Sequence, residues 1–123
     1  MEGGRVDSAV LRNWADTVVG GSSGTNTGSS YTADVSTGSL FHLVLNANCD
    51  FTFSNPTPTG TFCYFSILLK QGGGFTPRWP ATVAWPGDQA FAMTPTANVY
   101  DLYTFFTING GATWYGTQAS ADM

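Results

Sequence analysis

His42 is the single histidine of the chain. Histidine is the side chain best suited to proton transfer near neutral pH. A Ser–His–Asp hydrolase also needs a nucleophile on a strained turn, and the sequence has no GxSxG motif. Apolar and polar residues alternate around His42, so it is predicted to lie on a strand on the same side as Val44 and Asn46. A hydrogen-bonded or exposed strand histidine is the favoured interpretation, and no catalytic residue is predicted.

The acidic residues show no pattern typical of catalysis or metal binding. A glycosidase needs two carboxylates flanking a cleft, but Asp34, Asp50, Asp88 and Asp101 are far apart and share no local motif. A calcium loop needs closely spaced carboxylates, and no Asp-x-Asp or EF-hand spacing is present. Solvated or turn-capping aspartates are expected, with no metal ion and no cofactor.

Cys49 and Cys63 are predicted to be free thiols. They lack the CxxC spacing and companion histidine pair of a zinc site. The N-terminal residues have no apolar stretch after their charges, so no signal peptide is expected, and no run is long enough for a transmembrane helix. Synthesis in a cytoplasm would keep both cysteines reduced.

Aromatic side chains offer a further binding chemistry, because flat rings can stack on saccharides. Trp79, Trp85, Tyr100 and Tyr103 are the candidates for an exposed aromatic ligand surface. The alternative is that most of them fill the core, where each ring buries roughly 150–250 Å². Tyr100 and Tyr103 must face opposite sides of a strand, so the two cannot both be core residues.

The charge balance excludes two classes of partner. Charged residues make up 10% of the chain and the net charge is −4, with Arg5, Arg12, Lys70 and Arg78 as the cations. Nucleic-acid binding requires a dense basic patch, and attraction to anionic membranes has a similar requirement. The sequence therefore predicts neither a nucleic-acid partner nor a membrane.

The first 30 residues are predicted to form an N-terminal arm. Four apolar residues recur at helical spacing and form its candidate docking side: Val6, Val10, Leu11 and Trp14. A helix this short is marginal in water, so it must dock on its own domain or on a neighbouring subunit. Residues 20–30, rich in Gly, Ser and Thr, are predicted to be a flexible linker.

Residues 31–123 are predicted to be one β domain. Residues 41–45 and 49–54 alternate like half-buried strands, whereas residues 62–70 are nearly continuously apolar, as in a strand covered on both faces. A long strand over residues 99–108 is followed by Asn-Gly-Gly, which predicts a tight hairpin into a last strand beginning at Trp114.

Short strands without intervening helices predict an antiparallel β-sandwich or jelly roll, preceded by the short N-terminal helix and the linker. Strand parity predicts that the core includes Phe41, Leu43, Leu45, Phe51, Phe53, Phe65, Ile67, Leu69, Phe105 and Trp114.

Several segments carry a resemblance to a known family. They are residues 51–56 (FTFSNP), 67–71 (ILLKQ), 79–87 (WPATVAWPG) and 99–116. Together they resemble a small β domain of tailed-bacteriophage structural proteins, found in tail and tail-fibre proteins and in short standalone virion proteins. The resemblance covers roughly residues 13–123 and implies a virion component without catalytic residues.

The expectation is a non-enzymatic head decoration (cement) protein on the surface of the phage particle, made in the host cytoplasm. Its expected partners are the major capsid protein and copies of itself, as a homotrimer at a quasi-threefold position. The docking arm, the low charge and the lack of a heptad-repeat shaft favour this hypothesis. The alternative is a tail or tail-fibre component that binds other tail proteins or host glycans.

Overall fold

The computed structural model describes residues 17–123, and this part of the chain is built from β-strands and one 3-10 turn at Pro86–Asp88. The strands are β1 (Thr25–Asn26), β2 (Ser30–Asp34), β3 (Leu40–Leu45), β4 (Cys49–Ser54), β5 (Cys63–Gln71), β6 (Pro77–Arg78), β7 (Val83–Ala84), β8 (Tyr100–Thr107) and β9 (Trp114–Ser120). They form a six-stranded sheet, ordered β1-β3-β5-β8-β9-β7, and a three-stranded sheet, ordered β2-β4-β6. The predicted all-β class is confirmed.

The chain alternates between the two sheets from β1 to β7, with odd-numbered strands in the larger sheet and even-numbered strands in the smaller. Each return to a sheet therefore adds a strand that runs parallel to the strand the chain last placed in that sheet. The intervening strand, in the other sheet, serves as the crossover. Thus β1, β3 and β5 are parallel neighbours, as are β2, β4 and β6. The predicted antiparallel arrangement is wrong here, because alternation along a strand reveals its faces and not the direction of its neighbours.

Among the described strands, every antiparallel pair involves β8. β8 pairs antiparallel with both β5 and β9. The predicted hairpin between β8 and β9 is present, with Gly110 and Gly111 at φ 67° and 85°. The Thr107 hydroxyl organises this connection, because it accepts the Gly111 N–H at 3.1 Å and donates to Asn109 Oδ1 at 2.8 Å. The connection spans residues 108–113 and is longer than the tight turn predicted.

One core lies between the two sheets. It contains Ala33, Phe41, Leu43, Leu45, Cys49, Phe51, Cys63, Phe65, Ile67, Leu69, Tyr103, Phe105 and Trp114. The predicted core residues are all buried except Phe53, which is partly buried and packs against this cluster. From the smaller sheet, the Phe53 ring reaches Phe65 and Phe105 of the larger sheet, with centroids 4.8 and 4.9 Å apart.

Both cysteines are free, as predicted, and both are buried. Cys49 is fully buried beside Phe51 on β4, and its burial raises the pKa of the thiol. A thiol with a raised pKa is less ionised near neutral pH, so Cys49 acts as a small apolar core residue.

The prediction that β5 is covered on both faces is wrong. Its burial alternates strictly: Cys63, Phe65, Ile67, Leu69 and Gln71 are buried, while the residues between them are half-buried or exposed. The smaller sheet covers one face only. The mean apolarity of the segment concealed this alternation, although Ser66 and Lys70 both fall on the uncovered face.

The segment predicted as a flexible linker, residues 20–30, is hydrogen-bonded to the larger sheet. Val19, just before it, accepts the His42 N–H at 2.8 Å, and Thr27 donates its N–H to Val44 at 2.9 Å. Thr27 is buried, and β1 forms parallel pairs with β3. Composition predicted flexibility, but the open edge of β3 supplies backbone partners that composition cannot reveal. The predicted helix carrying Val6, Val10, Leu11 and Trp14 lies outside the described residues.

The fully buried Gln71 holds two irregular segments against the core. Its side-chain oxygen accepts the backbone N–H groups of residues 73–75 at 2.9–3.2 Å. Its amide nitrogen donates to the carbonyls of Phe75 at 2.9 Å and Thr94 at 3.0 Å. Because every polar atom of this side chain is paired, burial carries little net cost.

Asp101 plays a similar part at the start of β8. Its buried carboxylate accepts the N–H groups of Thr94 at 2.8 Å and Asp122 at 2.9 Å. Gln118 donates to it as well, at 3.2 Å. These bonds join β8, β9, the 92–94 segment and the residues after β9, so Asp101 has a structural role.

Candidate interaction surface

The four aromatic candidates for a ligand surface do not lie together. Tyr103 is fully buried, and the Trp79 and Trp85 rings pack against it with centroids 4.7 and 6.4 Å away. Tyr100 lies on the opposite side of the same sheet. The proposed exposed surface is therefore not formed by this set, because two tryptophans close the edge of the core instead of facing solvent.

Tyr103 is held in the core by polar contacts of its own. Its hydroxyl accepts a hydrogen bond from Gln118 at 3.2 Å and donates to the Met93 sulfur at 3.7 Å. Desolvation by burial raises the pKa of this phenol to about 12. The ring is a buried, neutral core group across the physiological range.

His42 is a hydrogen-bonded strand histidine. Its Nδ1 lies 2.9 Å from the Gly21 carbonyl, which can only accept, so Nδ1 carries a proton. Its Nε2 lies 3.0 Å from the Tyr100 hydroxyl and accepts from it. Both ring nitrogens are therefore engaged in tying residues 20–24 and β8 to β3.

The aspartates serve separate local contacts. Arg78 donates to Asp50 on the surface, and this hydrogen bond lowers the pKa of the Asp50 carboxyl. The Ser36 hydroxyl donates to Asp34 at 2.6 Å and lowers the pKa of that group. Within residues 17–123, no cluster of three or more His, Cys, Asp or Glu residues could hold a metal ion.

No helix among the described residues is long and apolar enough to cross a membrane.

The larger sheet has a second face, directed away from the smaller sheet, that we call the outer face. It carries the residues that alternate with the buried ones on β3, β5, β8 and β9, among them Leu40, Val44, Tyr64, Ser66, Leu68, Lys70, Tyr100, Leu102, Thr104, Phe106, Tyr115 and Thr117. Lys70 is the one charged side chain among these, and it lies toward one end, near the Tyr100 ring.

Four rings at the other end of the outer face form a continuous row that we call the aromatic ladder: Phe62, Tyr64, Phe106 and Tyr115. Tyr64, Phe106 and Tyr115 are register neighbours across β5, β8 and β9. Ring centroids are 5.1 Å apart for Phe62–Tyr64, 5.5 Å for Phe62–Phe106 and 5.1 Å for Phe106–Tyr115. The side chains remain 62%, 60%, 39% and 43% exposed, in the order Phe62, Tyr64, Phe106 and Tyr115.

Beside the aromatic ladder runs a shallow apolar groove of about 400 Å³, lined by Ser39, Leu40, Tyr64, Ser66, Leu68 and Leu102. A more polar depression of about 390 Å³ adjoins it, lined by Thr17 and residues 35–39 together with Tyr64. The two share Ser39 and Tyr64, so the start of the described chain lies at the rim of the apolar groove.

This arrangement suits contact with another apolar surface. Soluble monomers rarely expose contiguous apolar patches, and aromatic-rich surfaces poor in charge are typical of the centres of protein interfaces. The outer face offers no group of polar side chains converging on a small ligand. Its chemistry is that of a docking surface.

Sequence reasoning missed the aromatic ladder. The signal is present in residues 63–70, where Tyr64, Ser66 and Lys70 occupy one parity and Cys63, Phe65, Ile67 and Leu69 the other. The near-continuous apolarity of residues 62–70 predicts a strand covered on both faces, whereas the structure leaves the face that carries this set uncovered.

Comparison of the chain with family models, with curated proteins and with solved structures finds no match. The outer face, and the buried residues that shape it, are therefore the observations from which a function is inferred.

Proposed function

We propose that the chain is a non-enzymatic structural protein of a bacteriophage particle that decorates the capsid as a cement protein. The observation that carries this proposal is the outer face, where an aromatic ladder and an apolar groove lie side by side on a rigid sheet. The choice of a phage particle is supported by a sequence resemblance to a phage structural domain, which covers residues 51–56, 67–71, 79–87 and 99–116.

The energetics of the outer face support attachment by many copies, each through a modest contact. Burying the exposed part of one ladder ring removes on the order of 100 Å² from water, worth roughly 2–3 kcal/mol before the entropic cost of association. A surface with a single charged side chain has little to desolvate at a matching apolar site. We propose the major capsid protein as the partner.

Within this proposal the two sheets form a β-sandwich, and three copies meet at a quasi-threefold position of the shell. Contacts between the two sheets through Phe53 support the sandwich assignment. The trimer follows from symmetry, because a decoration protein that binds a symmetric site is repeated by the local axis. The particle surface is the corresponding location.

Copy number per particle tests the proposal. Quantitative mass spectrometry of purified particles should find the chain in an amount comparable to the major capsid protein. A handful of copies per particle would contradict capsid decoration.

A low copy number would instead favour the alternative, a tail or tail-fibre component that binds host glycans. The exposed rings of Tyr64 and Tyr115 are the observation in favour of that alternative, because a flat ring with a hydroxyl can stack on and hydrogen-bond to a sugar. Binding to isolated host surface polysaccharide, lost on Tyr64→Ala and Tyr115→Ala, would identify it.

A further inference from the structure

The edge of the smaller sheet at β2 lacks the usual protection against pairing with another chain. Among the described strands, β1, β2, β6 and β7 lie at sheet edges. Open edges invite strand pairing, and proteins protect them with short strands, prolines and positive charges. β1 and β7 have two residues each, and β6 consists of Pro77 and Arg78. β2 has five residues, Ser30–Asp34, and none of these protections.

The backbone groups of β2 alternate between its neighbour β4 and the open side. The Ser29 carbonyl and the Val35 N–H both bond to β4, at 3.0 Å each, so the odd-numbered residues face that strand. The even-numbered residues therefore direct their backbone N–H and C=O groups toward the open side. They are Ser30, Thr32 and Asp34. The Asp34 carbonyl accepts the Thr37 N–H at 3.0 Å, which ends the open stretch at a turn.

β2 is complementary to a second copy of itself in an antiparallel register. With a two-fold axis at Thr32, each Thr32 lies opposite its counterpart, and the two exchange backbone hydrogen bonds. Tyr31 then lies opposite Ala33, which places a large ring beside a small side chain on the inner side. Asp34 lies opposite Ser30. The two Asp34 carboxylates stay roughly 13 Å apart along the strands, beyond the screening length of about 8 Å.

The core is also incompletely covered on this side. Tyr31 and Val35 are only partly buried, although both pack against the buried cluster. The Tyr31 ring meets Phe51 edge-on, with centroids 6.1 Å apart. A further strand beside β2 would cover more of both side chains. Pairing there adds apolar burial to the backbone hydrogen bonds.

We propose that β2 pairs antiparallel with β2 of a second copy of the chain, centred on Thr32, and joins the two three-stranded sheets into one sheet of six strands. The contact involves few residues, so the dimer is weak, with a dissociation constant on the order of 100 µM. Both outer faces stay free, because they belong to the larger sheets. This two-fold contact is separate from the proposed threefold contact and requires no particle.

Sedimentation velocity of the purified full-length chain over a concentration series tests the pairing. Thr32→Lys places two like charges directly opposite each other and should weaken self-association several-fold. The matched control is Thr52→Lys, because Thr52 is exposed and lies beside Thr32 on β4, one strand in from the edge. It makes the same change on the same side of the sheet and should leave self-association unchanged. Thermal melts should confirm that both variants are folded.

A mixture of Thr32→Lys and Thr32→Asp chains provides the reciprocal test. Opposite charges then face each other at the axis, so the mixture should associate more strongly than either variant alone. A chain that stays monomeric up to about 1 mM would overturn the proposal. A dimer that Thr32→Lys leaves intact would overturn it too, because that dimer must form through another surface. Particle binding plays no part in this readout, so its failure is distinct from failure of the decoration hypothesis.

Disulfide formation at the axis gives a second measurement. Two residues that exchange hydrogen bonds across antiparallel strands have Cα atoms about 5.5 Å apart, within the range that a disulfide spans. Thr32→Cys should therefore oxidise to a covalent dimer. Thr52→Cys should stay monomeric, because its two copies would lie roughly 14 Å apart, three strand spacings. The native Cys49 and Cys63 are buried. Equal oxidation of the two variants would contradict pairing through β2.

Discussion

At the scale of single residues, Phe53 contributes more than its partial burial suggests. Its ring is the link from the smaller sheet to Phe65, Phe105 and Trp114 of the larger one, at centroid distances of 4.8, 4.9 and 5.5 Å. Phe53→Ala should lower the free energy of unfolding by about 3–4 kcal/mol through lost contacts and a cavity. Phe62→Ala, at a ring that is 62% exposed, should cost under about 1 kcal/mol in the same denaturant melts. Equal losses would contradict the inter-sheet role of Phe53.

Tyr103 predicts an alkaline limit to stability. Its folded pKa of about 12 exceeds the value of about 10 expected in the unfolded chain. Because the folded state holds the proton more tightly, no stability is lost below pH of about 10, and stability falls as pH rises from there toward 12. Ultraviolet titration of the phenols should show a late phase near 12 that Tyr103→Phe removes. A late phase that survives this substitution would show that another phenol is the buried one.

At the scale of elements, the segment before β2 is held in place by a close approach that only glycine allows. Gly20 has φ +94°, and an added Cβ would lie 2.2 Å from the His42 carbonyl oxygen. Gly21 has φ +60° with open space around its Cβ position, so Gly21→Ala isolates the backbone strain of roughly 1–2 kcal/mol. Gly20→Ala should cost clearly more, because strain and clash add. Hydrogen exchange should show the extra loss first at the His42 amide.

The sequence predicted much of the element level. Alternation predicted β3 and β4, near-continuous apolarity predicted β5, and the Asn-Gly-Gly turn after a long strand predicted the hairpin of β8 and β9. Side-chain parity predicted the core because the period of a strand is independent of its neighbours. The direction of neighbouring strands could not be predicted in this way, because parallel and antiparallel neighbours place similar demands on the side chains.

The surface was less predictable, for a physical reason. Apolar residues such as Leu68 and Phe106 satisfy the same pattern whether another layer covers them or not. Only the folded chain shows that the smaller sheet reaches one side of β5. Similarly, the Gly- and Ser-rich residues before β2 look like a linker until the edge of β3 is placed beside them.

At the scale of the whole molecule, the fold explains why one apolar face is left open. The chain uses its alternating strands to build two layers, and β8 and β9 then extend only the larger sheet. The outer face is therefore broad, rigid and supported from beneath by buried aromatic residues. These are the properties of a preformed docking surface, which binds with little loss of conformational entropy.

The most direct test of this account measures binding of the purified chain to phage particles from which the chain is missing. Phe106→Ser removes a ladder ring that is 39% exposed, and Phe91→Ser removes a 36% exposed ring that lies outside the outer face. Both variants should be confirmed as folded by their thermal melts. Cosedimentation should show affinity reduced by about tenfold or more for Phe106→Ser and unchanged for Phe91→Ser. Equal affinity of the two variants would contradict attachment through the outer face.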